Sequence, residues 1–385
     1  MGWSVSAMAD RRELIALCSQ EGANVSDLAR RWDVSRSAVY KWLRRAEDPQ
    51  ETFEDRSRRP HHSPNRTAGE IEERIVAIRD AHPQWNARKL RRVLQREIDV
   101  VPAASTIGEI LRRNGRVREA ASAAAQRWQR FEHSAANDMW QADFKGHFPT
   151  GRGRCHPLTA LDDHSRYAVI LEACTNERGD TVRAHLIDAF RRYGMPLRIN
   201  FDNGNPWGNA SGAPWTQLTV WLLERGVRVS HSSPYHPQTN GKDERFHRTL
   251  KAEVLGSRWF SSIDEVALAF DAWREVYNHE RPHEALELDV PADRYRPSIR
   301  TYPEHVPPFE YDVRDLVRKV KSGGEIMAWG RRFYISEAFT GRYVALRPTA
   351  EDGVWDVHFH HQRIGSIDRR STETGEKASA NKTAL

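Results

Sequence analysis

The most informative residues of this chain lie between positions 234 and 251, in the segment PYHPQTNGKDERFHRTLK. A turn rich in Pro and Asn is followed there by a pattern typical of a helix. Steps of three, four and seven residues from Glu244 reach His247, Arg248 and Lys251, which would share one helical face. One carboxylate among basic side chains suits contact with a metal ion and with phosphates. Taken alone, the pattern also fits an ordinary solvated charged face.

The opposite stripe of the same helix is mostly apolar. It contains Phe246, Leu250 and Val254, together with Asp243. A stripe of this kind is expected to face a protein core. The pattern therefore predicts a structural role for Asp243, although this residue is next to Glu244.

Two earlier segments each place an aspartate at a strand position. They are WQADFK, which contains Asp143, and INFDNG, which contains Asp202. With Glu244, they supply three carboxylates on one fold, beside basic groups. Metal-dependent chemistry on a phosphodiester requires this combination of groups.

The elements that must position these carboxylates lie within residues 137–290. Three consecutive strands are predicted first, and then helices alternate with strands. This order is typical of a mixed sheet covered by helices, which is an α/β fold. The predicted strands are 138–147, 156–162, 166–174, 196–202 and 227–232, and the predicted helices are 179–193, 214–225, 238–254 and 263–279.

Residues 1–46 have the pattern of a helix-turn-helix DNA-binding domain. Ala29 is small enough to let two helices approach, Asp33 tolerates the left-handed turn, and Ser35 is a suitable N-cap. A major-groove contact is then expected from one face of the second helix. That face consists of Arg36, Ser37, Tyr40 and Lys41. A plain three-helix core with a basic surface is the alternative.

The remaining segments differ from the core in composition. Residues 47–65 and 117–136 are predicted linkers, and residues 66–116 are a second helix-turn-helix-like domain or a helical spacer. Residues 305–367 contain short strands between Gly-containing turns, which favours a small β-barrel. Residues 368–385 have few apolar residues and are predicted to be a disordered tail.

Composition indicates the kind of partner and the compartment. The chain has 385 residues and a formal net charge of +6. Residues 1–120 hold 23 Lys and Arg against 18 Asp and Glu, so the excess lies where DNA binding is predicted. Three widely spaced cysteines indicate neither a disulfide framework nor a cysteine zinc site. With no apolar run of transmembrane length and no signal peptide, we expect a cytosolic protein without membrane contact.

Five motifs in order resemble the integrase core of bacterial insertion-sequence transposases. These proteins belong with the retroviral integrases in the DDE superfamily. The resemblance covers residues 137–290, and the flanking helix-turn-helix and barrel regions are also similar to that architecture. The motifs lie at Trp140 to Asp143, Leu161 to Tyr167, Phe201 to Gly204, Pro237 to Glu244 and Tyr277 to His283.

The resemblance implies a fold, a site and a reaction. The fold would be RNase H-like, with a mixed five-stranded sheet and flanking helices. Asp143, Asp202 and Glu244 match the catalytic triad and would bind two Mg²⁺ ions, with Mn²⁺ as a substitute. The reaction would be 3′-end cleavage at terminal inverted repeats, followed by strand transfer into target DNA. The protein would act on double-stranded DNA as a homo-oligomer, at least a dimer, in the bacterial cytoplasm at the nucleoid.

Other residues near the predicted site have competing roles. Asp162 and Asp163 could bind metal, but a structural role for this motif is favoured. The spacing of His231, His236 and His247 fits no regular zinc site. His247, Arg248 and Lys251 are predicted instead to contact the DNA backbone.

The sequence leaves one geometrical question and two functional alternatives open. Between Asp202 and Glu244 there are 41 residues, more than is common in the superfamily, and the extra length fits a turn-rich loop at 205–214. One alternative is a catalytically inactive, regulatory DNA-binding relative of a transposase. The other is an RNase H-type nuclease, in which two N-terminal DNA-binding domains would have no obvious use.

Overall fold

The computed structural model describes residues 7–48, 50, 53–54, 66–117, 132–208, 214–231, 241–256 and 258–370. The chain divides into two compact units, Met1–Arg66 and Thr67–Leu385. Most of the two predicted linkers, residues 371–385 of the predicted tail, residues 209–213 of the turn-rich loop and residues 232–240 before the signature helix lie outside the described residues. Within the described part of the chain, no helix is both long and apolar enough to cross a membrane.

The first unit contains three helices, α1 (Ala7–Cys18), α2 (Val25–Arg31) and α3 (Arg36–Ala46). Ala29 and Val39 are buried between them, in a core that includes Leu14. Asp33 adopts a left-handed φ of 50° in the turn. The Ser35 side chain accepts a hydrogen bond from the backbone N–H of Ala38, which confirms the predicted N-cap. The predicted helix-turn-helix fold is therefore present.

The second unit begins with another group of three helices. These are α4 (Gly69–Ala81), α5 (Ala87–Leu94) and α6 (Ala104–Arg113). Ile75, Leu90 and Ile107 meet in one apolar core. The group is attached to the following domain by polar contacts, among them a hydrogen bond from Asn86 to Glu284 of 2.8 Å. An all-α N-terminal region was predicted, and it is confirmed.

A mixed β-sheet forms the centre of the second unit. Its strands are β1 (Met139–Phe144), β2 (Phe148–Thr150), β3 (Gly153–Asp162), β4 (Ala168–Cys174), β5 (Arg198–Phe201) and β6 (Arg228–His231). The five main strands lie in the order β4-β3-β1-β5-β6, and short β2 also pairs with β3. β3 is antiparallel to both β1 and β4, whereas β5 is parallel to both β1 and β6. The predicted mixed five-stranded sheet is confirmed, with β2 as an addition.

Helices cover both faces of this sheet. They are α7 (Gly179–Tyr193), α8 (Gln217–Glu224), α9 (Gly241–Leu250) and α10 (Ile263–Glu275), with π-helical turns Lys251–Leu255 and Val276–Glu280 after the last two. Trp140 of β1 belongs to the core that contains Phe190 of α7. On the other face, Leu161 of β3 belongs to the core that contains Phe246 of α9. The sheet is thus the middle of three layers.

The C-terminal region is a small all-β structure that follows α11 (Pro291–Arg294). Its strands are β7 (Leu316–Lys319), β8 (Glu325–Ala328), β9 (Arg331–Tyr334), β10 (Tyr343–Pro348), β11 (Val354–Phe359) and β12 (Gln362–Asp368). Four form an antiparallel sheet in the order β12-β11-β10-β7, and β8 pairs with β9. The strands enclose buried Phe333, Val344 and Phe359, in agreement with the predicted small barrel.

Hydrogen bonds between a side-chain amide of this barrel and the backbone of the central sheet join the two. The Gln362 side chain accepts from the backbone N–H of Val229 at 2.9 Å and donates to its carbonyl at 2.7 Å. Val229 lies on β6, the last strand of the sheet order. One amide side chain therefore satisfies edge groups that would otherwise be open to another strand.

Candidate active site

The parallel register of β1 and β5 brings Asp143 and Asp202 together. Met139 lies opposite Arg198, and Gln141 lies opposite Asn200. Asp143 lies two residues after Gln141, and Asp202 lies two residues after Asn200. The backbones of neighbouring strands are about 4.8 Å apart. Burial raises the pKa of Asp143 to about 7, and the charge of Asp202 contributes to the increase. The two carboxylates are therefore close enough to repel each other.

Donors from the described residues reach few of the oxygen lone pairs of Asp143 and Asp202. Asp202 accepts from the backbone N–H of Gly204 at 3.0 Å. A hydrogen bond from the backbone N–H of Phe144 to the Asp143 carboxylate partly opposes the increase in the Asp143 pKa. A Cβ atom at position 204 would lie 3.0 Å from an Asp202 oxygen, so glycine there leaves the carboxylate uncrowded. Both side chains are only partly buried, which keeps them accessible from outside.

Glu244 lies in the first turn of α9 and is exposed. Its neighbour Asp243 is buried with Phe246 and Leu250, as the helical stripe predicts. Burial and then the charge of Asp143 raise the pKa of Asp243 well above its usual range. The start of α9 therefore lies near Asp143 through Asp243. Within the described ranges, no three His, Cys, Asp or Glu side chains converge closely enough to hold a metal ion.

The basic face of α9 divides into one inward and two outward side chains. His247 is hydrogen-bonded through Nε2 to the Thr159 hydroxyl at 2.8 Å, and that hydroxyl also donates to the Asp143 carbonyl at 3.0 Å. Burial lowers the pKa of His247 to about 4, so its imidazole is neutral at pH 7. Arg248 and Lys251 are exposed. The DNA contacts of all three remain predictions.

Asp162 and Asp163, the alternative metal ligands, are occupied by protein donors. Asp162 accepts from the backbone N–H of Asn137 at 2.6 Å and from the N–H and hydroxyl of Ser165 at 2.8 and 2.6 Å. Asp163 accepts from the Gln141 side chain at 2.8 Å and from the backbone N–H of His133 at 2.9 Å. Both residues are almost fully buried. These contacts favour structural roles.

Asn200 and Gln141 lie beside the pair and were not singled out from the sequence, whereas His231 was considered there only as a zinc ligand. Asn200 is buried on β5 and accepts a hydrogen bond from Ser230 at 3.0 Å. The His231 ring contacts the Asp202 carbonyl at 2.9 Å and so holds the backbone of that aspartate. Gln141 is the one with a visible sequence signal, because residues two apart in a strand share a face with each other, and Asp143 is two residues on.

The predicted major-groove face of α3 is open in the first unit. Arg36, Ser37, Tyr40 and Lys41 are all exposed, and buried Val39 lies between them in sequence. The Ser35 and Ser37 hydroxyls are 3.1 Å apart. This surface has the cationic and polar groups that DNA recognition needs, and its role remains a prediction.

A mixed sheet with two carboxylates on neighbouring parallel strands defines the core as RNase H-like. Family models of the integrase core domain match residues 133–237 and 225–291. Together with the insertion-element relatives, these matches support an insertion-sequence transposase of the DDE superfamily, which includes the retroviral integrases. The C-terminal domain of IS481 family transposases matches residues 315–375, and homeodomain-like models match residues 7–50 and 38–111.

Similar proteins come from bacterial insertion elements. The chain is 28% identical over 159 residues to an uncharacterized 31.7 kDa protein of insertion element IS407 from Burkholderia multivorans, covering 41% of this chain and 55% of that protein. It is 25% identical over 231 residues to a 39.2 kDa protein of IS476 from Xanthomonas euvesicatoria, covering 59% and 65%. The chain thus spans between about half and two thirds of the length of these relatives.

Solved structures of retroviral proteins show more distant likeness. A simian T-cell lymphotropic virus intasome in complex with a PP2A regulatory subunit has a chain with 15% identity and a TM-score of 0.37, covering 78% of this chain and 100% of that chain. The HTLV-2 integrase catalytic core in complex with magnesium has 15% identity and a TM-score of 0.32, covering 42% and 97%.

Proposed function

We propose that this protein cuts DNA at the ends of an insertion sequence and joins the freed 3′ ends to target DNA. The observation that carries the proposal is the pairing of Asp143 with Asp202 across parallel strands. Among the described residues few protein donors reach their oxygens, and the charge of Asp143 acts on Asp243, the residue before Glu244 on α9. The family supports transposition and integration of DNA in general. The two chemical steps and the roles of the three carboxylates are our proposal.

The donor set fits divalent metal ions. Carboxylate oxygens are hard ligands, and Mg²⁺ and Mn²⁺ prefer such ligands. The mutual repulsion of Asp143 and Asp202 would be relieved by positive charge between them. Asp143, Asp202 and Glu244 would hold two ions. When bound, ions of this kind activate an attacking oxygen and stabilise a leaving oxygen in phosphoryl transfer.

The first step would be hydrolysis at the end of the element. Water attacks the phosphorus, a P–O bond forms, and the bond to the 3′ oxygen breaks, which leaves a 3′-hydroxyl on the element. That hydroxyl then attacks a target phosphodiester and displaces the target's own 3′ oxygen. One P–O bond is exchanged for another, so joining needs no external energy source. Exposed Arg248 and Lys251 would contact the anionic DNA backbone near the reacting phosphate.

Recognition of the terminal inverted repeats is assigned to the α3 face, assisted by the second helical group. Arg331 and Arg332, which begin β9 of the barrel, would add contacts to DNA. Bringing two ends together requires at least two subunits if each has one active site. The bacterial insertion-element relatives support a bacterial cytoplasmic setting, and binding to chromosomal DNA would place the protein at the nucleoid.

Cleavage of a terminal duplex tests this function. The full chain would be incubated with a labelled duplex of the element's own terminus, with Mg²⁺, Mn²⁺ or EDTA, and with a scrambled duplex as a control. We expect metal-dependent nicking at the 3′ end of the element on the terminal sequence. Tight, sequence-specific binding without cleavage in either metal would support a regulatory DNA-binding protein instead.

Recognition is tested separately with substitutions on α3. Arg36→Ala and Lys41→Ala are each expected to weaken binding of the terminus and to reduce the slope of log affinity against log salt by about 1. Arg30→Ala is the control, because Arg30 lies on α2 with its side chain 81% exposed and outside the predicted face. Unchanged binding in both α3 variants would move recognition to the second helical group.

A further inference from the structure

We propose that Asp163 and Lys242 form a positioning contact that fixes the first turn of α9, and hence Glu244, relative to β1. The inference rests on the proposed function and deepens it. It concerns neither a metal ligand nor a group that touches DNA. Asp163 and Lys242 would act by holding the helix that carries Glu244 against the strand that carries Asp143.

The contact is an ion pair between the residue that follows β3 and the first turn of α9. The Lys242 ammonium donates to Asp163 Oδ1, and it lies 3.4 Å from the Asp163 carbonyl oxygen. The Asp163 side chain has no exposed surface, and that of Lys242 is 15% exposed. A pair held away from water in this way is more directional than a surface ion pair.

Asp163 is itself tied to the strand that carries Asp143. Its Oδ1 accepts from the Gln141 side chain, and its Oδ2 accepts from the backbone N–H of His133. Gln141 and Asp143 are two residues apart on β1, so their side chains share one face of the sheet. A continuous series of contacts therefore leads from β1 through Asp163 to Lys242, which is two residues before Glu244.

The first turn of α9 needs such an anchor. Phe246 and Leu250 hold the later part of the helix in the apolar core. Helix ends are less constrained, because their first N–H groups have no partner within the helix. A metal-binding carboxylate must be held within a fraction of an ångström, and loss of residues that orient ligands typically weakens metal binding 10- to 100-fold.

A neighbouring cation does not replace Lys242. Arg166 lies near this pair, and it forms its own ion pair with Glu132 at 3.1 Å. Asp163 and Lys242 thus form one pair and Arg166 and Glu132 a second. Removing either member of the first pair would leave a charge buried without its partner.

Mn²⁺ binding to the full chain, followed by electron paramagnetic resonance, tests the inference without relying on catalysis. We would compare wild type with Lys242→Met, Asp163→Asn and the double variant. We expect each single variant to bind Mn²⁺ about tenfold more weakly than wild type. The double variant should bind Mn²⁺ no more weakly than the weaker-binding single variant. If Asp163→Asn does not fold, Lys242→Met carries the test, because the lysine is partly exposed.

Asp315→Asn is the matched control. Asp315 lies in the barrel, its side chain is 6% exposed, and it pairs with Arg347 at 2.8 Å. We expect this variant to lower the melting temperature and to leave Mn²⁺ affinity unchanged. An equal loss of affinity in Asp315→Asn, or wild-type affinity in Lys242→Met, would overturn the positioning role. If wild type itself binds no Mn²⁺, the proposed metal site fails, and this inference fails with it.

Discussion

Two pairs of aspartates in the central sheet have the same side chain and opposite surroundings. Asp162 and Asp163, at the end of β3, receive hydrogen bonds from main-chain and side-chain donors. Asp143 and Asp202, on β1 and after β5, face each other with few donors. Residue type therefore says little about role in this sheet. The supply of donors separates carboxylates that hold the fold from carboxylates left available to an external cation.

The difference follows from what each strand end meets. β3 runs into a tight turn in which the N–H and the hydroxyl of Ser165 both donate to Asp162. β1 and β5 are parallel, so their carboxyl ends lie at the same edge, and each brings a carboxylate to it. Asp243 combines both situations, because it is buried and its Oδ1 has no hydrogen-bond partner among the residues that the structure describes.

The largest expected effect is on catalysis. Asp143→Asn, Asp202→Asn and Glu244→Gln should each reduce end cleavage by about 10³-fold or more, because each removes charge needed in the transition state. Asp162→Asn, assayed where it is folded, should stay within about tenfold of wild type, since its oxygens point into the turn. Gel-based cleavage rates measure the effect in each variant, and binding of the same duplex shows whether the variant still binds DNA. Cleavage by Glu244→Gln at the wild-type rate would remove Glu244 from the site.

The second prediction is that, without metal, Asp143 makes the unfolding free energy fall as pH rises. The pKa of Asp143 rises from 3.8 to about 7 on folding. Between these values the unfolded chain ionises first, so the fold loses stability as pH rises, by at most about 4 kcal/mol. Asp143→Asn removes this loss. In EDTA, its unfolding free energy should match wild type near pH 4 and exceed it at pH 8, as measured by urea unfolding. Equal gains at both pH values would contradict the increased pKa.

The third prediction is that Asp162→Asn lowers the unfolding free energy, whereas Asp143→Asn raises it. Asp162→Asn keeps one acceptor oxygen and places an N–H₂ group either against the Asn137 N–H or against the two Ser165 donors. We expect a loss of about 3 kcal/mol in unfolding free energy at pH 7. Urea unfolding beside Asp143→Asn measures the contrast directly. A stability equal to wild type would show that these hydrogen bonds do not distinguish the two pairs.

The smallest expected effect is stabilisation by metal. At a Mn²⁺ concentration ten times its dissociation constant, binding adds about 1.4 kcal/mol to the stability of the folded state. Asp162→Asn should retain the resulting increase in melting temperature, and Asp143→Asn should lose it. Differential scanning fluorimetry with and without Mn²⁺ is sufficient. An increase that survives in Asp143→Asn would place the metal elsewhere.

Local patterns in the sequence predicted much of this architecture. The Ser35 cap, the left-handed Asp33 and the buried Asp243 each depend on residues close in sequence, and each is present. The signature helix was predicted at 238–254, and the structure has α9 at Gly241–Leu250 followed by a π-helical turn. Strand β2, with three residues, was not predicted, because short strands carry weak periodicity.

The surroundings of the carboxylates could not be predicted in the same way. The contact between Lys242 and Asp163 joins residues 79 positions apart. Gln362 pairs with Val229 across 133 positions. Such contacts depend on strand register and on how the helices pack, which a single sequence does not specify. The donor supply that distinguishes Asp143 from Asp163 therefore appears only in the folded chain.

The most direct test of the central claim is strand transfer itself. Purified wild type and Asp202→Asn would each receive a labelled terminal duplex with a free 3′-hydroxyl and a plasmid target, with Mg²⁺ or with EDTA. The proposed function predicts covalent joining of label to plasmid by wild type in Mg²⁺ alone, and none by Asp202→Asn, although both bind the duplex. Joining by Asp202→Asn at the wild-type rate, or by wild type in EDTA, would contradict the assignment of the aspartate pair as the metal-dependent active site.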